Sequence, residues 1–128
     1  MNANWREASF TKAARIGEVF RLNKVLLRFF NVASAYFFTD LFRGFKRHEA
    51  VRRLFGDKTD AVLSGLKVQF SRMGGYMGVN PSNGHLIVNP DYLRNGDRVD
   101  IYLDVIHELV HVRQWMDGKS LFGGGYRY

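Results

Sequence analysis

Apolar positions along this chain change their spacing twice, and each change marks a different kind of element. Val19, Leu22, Leu26, Phe29, Phe30, Ala33 and Phe37 fall on one arc at helical spacing, while Arg21, Lys24 and Arg28 cluster on another. This predicts a basic amphipathic helix. Thr39-Asp40 is placed to cap a following helix, Gly44 interrupts it, and residues 48–55 add a short third piece. From Leu66 the period drops to two. Leu66-Lys67-Val68-Gln69-Phe70 alternates apolar and polar as a half-buried strand does, and Gly74-Gly75 breaks it. Residues 76–79 and 85–88 flank Asn80-Pro81-Ser82-Asn83-Gly84, a strong turn signal, so a hairpin is expected. Asn89-Pro90-Asp91 ends its second strand. Helical spacing then returns over 99–116, where Val99, Ile101, Leu103, Val105, Ile106, Leu109, Val110, Val112 and Trp115 cover much of the circumference, as in a buried helix. Asp97 or Asp100 serves as its N-cap and Gly118 as its stop signal.

Helices, then strands and a hairpin, then a long helix describe an α+β fold. A length of 128 residues fits one domain with room for an appendage, and the 46% hydrophobic content argues for a real core and against disorder. The net charge of +7 is unevenly placed. Residues 1–55 hold 11 Lys/Arg against 4 Asp/Glu, whereas 56–128 hold 8 of each. The expected organisation is therefore a basic helical N-terminal region, 1–55, and a second region, 56–128. The basic half has two readings. It is a surface for an anionic partner, membrane or nucleic acid, or it is a helix that packs its aromatic face on the core and solvates its charges. The residues around Trp5 do not read as a secretory signal, and the longest uncharged run, 29–39, is too short to span a bilayer. A soluble cytoplasmic protein is the expectation.

Against the apolar background of the last helix, Asp100, Asp104, His107, Glu108 and His111 form a polar stripe at i, i+4, i+7, i+8 and i+11. Buried polar groups need partners. Two readings satisfy these. Asp100 and Asp104 complement the helix dipole while the histidines are hydrogen-bonded core residues, or a metal ion takes the histidines. The second reading rests on His107-Glu108-Leu109-Val110-His111, the pattern H-E-x-x-H. On a helix the two histidines lie about 40° apart and about 6 Å along the axis, so both imidazoles reach one zinc ion, with Glu108 beside its open position. Chance placement produces the pattern in roughly 0.4% of chains with this His and Glu content, which favours the metal. The chain has no Cys, so disulfides are excluded and any zinc is held by His, Asp or Glu.

The order helix, strands, hairpin and H-E-x-x-H helix resembles the zincin metallopeptidases, most closely their minimal, gluzincin-like forms. The stretch His107-Glu108-Leu109-Val110-His111-Val112-Arg113-Gln114 also looks like the motif helices of bacterial and phage-borne zincin domains. The resemblance covers roughly residues 57–117. It implies N-terminal helices packed on a small mixed or antiparallel sheet, a buried active-site helix, and an edge strand bordering the substrate cleft. Here His85-Leu86-Ile87-Val88 would be that edge strand, to which an extended peptide adds. The resemblance implies hydrolysis of peptide bonds in a peptide or protein substrate. His107 and His111 would ligate Zn2+, Glu108 would be the general base, and no small-molecule cofactor is expected. Asp104, one turn before His107, would orient it from behind.

The third zinc ligand departs from the family pattern. Gluzincins take a glutamate from a later helix, and no Glu follows Glu108. Metzincins continue H-E-x-x-H-x-x-G-x-x-H or -D, which places Gln114 at the glycine and Asp117 at the ligand. On an unbroken helix Asp117 lies about 240° beyond His111 and cannot coordinate. His85 and His48 are further candidates. Three expectations stay open: Asp117 ligates through an early helix end, the chain is a piece of a longer protein, or the site is incomplete. In the last case the protein is a binding module that acts through its basic N-terminal helices.

Overall fold

A computed structural model describes residues 20–122, with side chains as far as Gly118. Trp5, Val19, the cations before Phe20 and the Gly123-Gly124-Gly125 run lie outside the described residues. The fold is mixed α and β, as expected.

The first apolar arc does not become one helix. It is divided among β1 (Arg21–Leu22), α1 (Lys24–Phe29) and β2 (Ala35–Phe37). Asn23 starts α1, because its side chain accepts the Leu26 amide at 3.0 Å. Beyond Phe29 the chain turns. Asn31 Oδ1 accepts the Ala33 amide at 2.9 Å, and the Asn31 amide donates to the Tyr36 hydroxyl at 2.6 Å. The reward for breaking the helix is packing. Phe30 and Tyr36 place their rings 4.4 and 5.7 Å from that of Phe70, contacts a continuous helix would forgo. Thr39 and Asp40 lie inside α2 (Phe38–Leu41) rather than capping it. After β3 (Phe42–Arg43), Gly44 breaks the chain at φ 103°. The third piece is α3 (Glu49–Phe55), capped by His48, whose Nδ1 accepts the Ala50 amide.

After α4 (Thr59–Gly65) come β4 (Lys67–Phe70), β5 (Met77–Val79) and β6 (Leu86–Val88). The alternation in β4 is as expected: Val68 and Phe70 are buried and Lys67 is exposed. The hairpin forms too, with β5 antiparallel to β6 and Met77 opposite Val88. Its tight turn needs Gly84 twice over. The residue sits at φ +75°, and a Cβ there would meet the Trp115 ring at 2.7 Å.

The order of the four-stranded sheet is β2-β4-β6-β5. This corrects the expected edge strand. Leu86, Ile87 and Val88 are interior, paired antiparallel to β5 on one side and parallel to β4 on the other, with Val68 opposite Leu86. His85 immediately precedes them. Leu86 and Val88 have no exposed surface, so a strand on each side is how their backbone and side chains are both satisfied. The edge on this side is β5, and β5 packs against the long helix.

That helix follows α5 (Pro90–Asn95) and is α6 (Arg98–Phe122). Asp97 is its N-cap, accepting the Val99 amide at 2.8 Å and the Asp100 amide at 3.2 Å. Gly118 does not stop it. α6 is buried on one side through Ile101, Tyr102, Val105, Leu109 and Val112, while His107, Arg113, Gln114 and Asp117 are exposed. It is a half-buried helix, not one enclosed all round. Tyr102 joins an aromatic cluster with Phe20 and Phe45, whose rings lie 6.1 Å away in each case.

The sheet and the core both cross the 55/56 boundary: β2 pairs with β4, and α3 packs on α6. Three arginines also reach back across the boundary. Arg94 donates to the Leu27 carbonyl, Arg98 to the Phe20 carbonyl and Arg113 to the Leu54 carbonyl. Among the described residues no helix is long and apolar enough to cross a membrane.

Candidate metal centre

His107 and His111 stand four positions apart on α6, and the rings meet as that spacing dictates. Their Nε2 atoms are 3.0 Å apart, the ring centroids are 4.5 Å apart, and the planes stand at 89°. Two nitrogens on one tetrahedral zinc ion, each at about 2.0–2.1 Å, stand about 3.3 Å from each other. A small side-chain rotation, with the His107 proton moved from Nε2 to Nδ1, brings the pair to that donor geometry. The outer nitrogen of His111 is fixed as well. Its Nδ1 lies 2.9 Å from Gln114 Oε1. An amide oxygen only accepts, so Nδ1 carries the proton and Nε2 of His111 presents a lone pair. His107 Nε2–H donates into that lone pair.

Glu108 is buried, at 8% exposure, next to an exposed His107. Burial holds its carboxyl above the ordinary carboxylate range. The imidazoles of His107 and His111 pull it back, and Asp104 pushes it further up. A carboxyl with raised proton affinity beside two converging imidazoles suits proton transfer.

Asp104 accepts a hydrogen bond from the Tyr92 hydroxyl, which ties α6 to α5. It lines a cavity of about 670 Å³ with Tyr76, Tyr92, Asp97 and Asp100, one turn before the histidines. Tyr76 and Tyr92 stack there with centroids 4.5 Å apart. Asp117 stays on the unbroken helix and pairs with Arg113 at 3.0 Å, so the structure does not bring it to the histidines. The glycine that would swing the chain back is Gln114, and Gly118 is accommodated within the helix. His48 is buried under Tyr102, whose hydroxyl meets its Nε2. His85 lines a separate cavity of about 380 Å³ with Val112, Trp115 and Met116. Burial and the nearby Lys67 lower its pKa. Among the described residues, no three His, Asp or Glu side chains come together as a metal-binding group.

Two contributors were not evident in the sequence. Gln114 stands at the position of the metzincin glycine, and its i+3 spacing from His111 is what lets the two side chains meet on the helix. The strand bordering α6 is β5, whose only sequence cue is its place in the hairpin. No family model, no curated protein and no solved structure matches this chain.

Proposed function

We propose that this protein is a zinc-dependent metallopeptidase built on an H-E-x-x-H helix. The observation that carries the reading is the convergence of His107 Nε2 and His111 Nε2 to 3.0 Å beside the buried Glu108. His107 and His111 hold the metal, and Gln114 keeps the His111 ring in its donor tautomer. Zinc, when bound, would supply Lewis-acid polarisation of the scissile carbonyl and acidify an attacking water. Glu108 would then be the group that accepts a proton and passes it to the leaving amine, a task its raised proton affinity supports. The outer edge of β5, beside α6, suits an extended substrate backbone. A catalytic zinc ordinarily has three protein ligands, so this reading requires one donor beyond the two histidines.

The test is metal content by elemental analysis after purification without chelator. Wild type retains zinc and His107→Ala loses it; equal zinc in both sinks the proposal. Glu108→Gln then keeps the metal and loses peptide hydrolysis by at least about 100-fold, the usual range for general acid–base catalysis. Hydrolysis that survives Glu108→Gln removes Glu108 from the mechanism.

A further inference from the structure

The surface around α1 is apolar and mostly cationic; the acid beside its N-terminus is Asp40, whose backbone carbonyl accepts from the Asn23 side chain at 2.9 Å. Val25, Phe29 and Val32 are 68%, 75% and 58% exposed, an unusual display for side chains of this type. From Phe20 to Thr39 the chain carries Arg21, Lys24 and Arg28 and not one Asp or Glu. Arg28 lies over the Phe29 ring, 5.5 Å from its centre. Next to α1, the two-stranded β1–β3 ribbon sets Arg21 directly opposite Arg43, a like-charge pairing that costs stability unless an anion shares it. Among the described residues none of these four cations takes part in an ion pair.

We propose that this face, formed by α1, the turn at Val32 and the β1–β3 ribbon, docks on an anionic lipid bilayer. Phe29, Val25 and Val32 enter the boundary between headgroups and acyl chains, and Arg21, Lys24, Arg28 and Arg43 meet the lipid phosphates. The aliphatic side chains decide between a bilayer and a nucleic acid. A nucleic acid rewards cations and stacked rings but offers Val25 and Val32 nothing to enter. A bilayer rewards every member of the set. This is an interfacial contact and needs no spanning helix. It rests on this surface alone, independently of the histidine pair.

Sedimentation of the full chain with vesicles tests it, using phosphatidylcholine alone or with about one-third phosphatidylserine. The expected result is binding to the anionic vesicles only, falling as salt rises. Lys24→Ala with Arg28→Ala weakens binding by about 25-fold, roughly fivefold per charge. Phe29→Ser with Val32→Ser weakens it by at least about tenfold. Arg52→Ala with Arg53→Ala, away from this face, leaves it within about twofold. Thermal melts establish that each variant is folded, which surface positions allow. No binding to anionic vesicles overturns the proposal. So does binding that both α1 variants leave unchanged, which would assign it to residues 1–19. Capture of duplex DNA with vesicles ignored overturns it in favour of a nucleic-acid surface.

Discussion

His85 carries a ring nitrogen, Nδ1, that the fold buries without a hydrogen-bond partner. A protonated ring would put an N–H there with nothing to accept it, so the folded state favours the neutral form. The stability this group contributes is therefore fully present above its ordinary value of 6.5 and is lost as pH falls through the lowered folded value. Thermal melts of wild type and His85→Gln between about pH 8 and pH 5 measure this. Wild type should lose more stability than the variant on acidification, and parallel curves would show that His85 is not the cause. Gln114 makes a second prediction at this scale. Gln114→Ala frees the His111 ring to turn and to change tautomer, which should weaken zinc affinity by about 10-fold or more in a chelator competition. An unchanged affinity would show that the Nδ1 contact has no part in metal binding.

Among the elements, the turn of the β5–β6 hairpin depends on Gly84. Its positive φ and the Trp115 ring against its Cα leave no room for a methyl group. Gly84→Ala should cost about 1–3 kcal/mol in denaturant unfolding, from backbone strain and overpacking together. The turn was legible in the sequence because Asn80-Pro81-Ser82-Asn83-Gly84 is local chemistry. β4, α3 and the start of α6 were legible for the same reason: alternation and capping residues act within a few positions. The arc from Val19 to Phe37 misled because its three-and-four spacing is compatible with a helix until Phe30 and Tyr36 find Phe70, a partner far along the chain. The place of β6 inside the sheet was hidden similarly, since alternation reports buried faces and not which strand edges are paired. At the site, the helix and its two histidines were legible. Gln114 was legible only as a spacing: i+3 from His111 permits a contact, but no local pattern shows that the hydrogen bond forms.

For the whole molecule, composition suggested two regions meeting near residue 55, whereas the core is shared. β2 pairs with β4, and Phe20, Phe38, Phe42 and Phe45 lie in one buried cluster with Val68, Leu86 and Tyr102. Residues 56–128 on their own should show no cooperative thermal transition by circular dichroism, while the full chain should melt in one step. A cooperative melt of that piece would restore the two-region view. The strand order also dictates a sequence in time. During synthesis, Ala35 must wait for Gln69, its partner in the register, and Val68 must wait in turn for Leu86. At roughly 5–20 residues per second these waits last on the order of seconds. Throughout the first of them β2 has no neighbour to pair with, and Phe37 lacks the Lys67 ammonium that later lies over its ring. The nascent chain is thus most open to mispairing before β4 has left the ribosome, well before the histidines of α6 have been made.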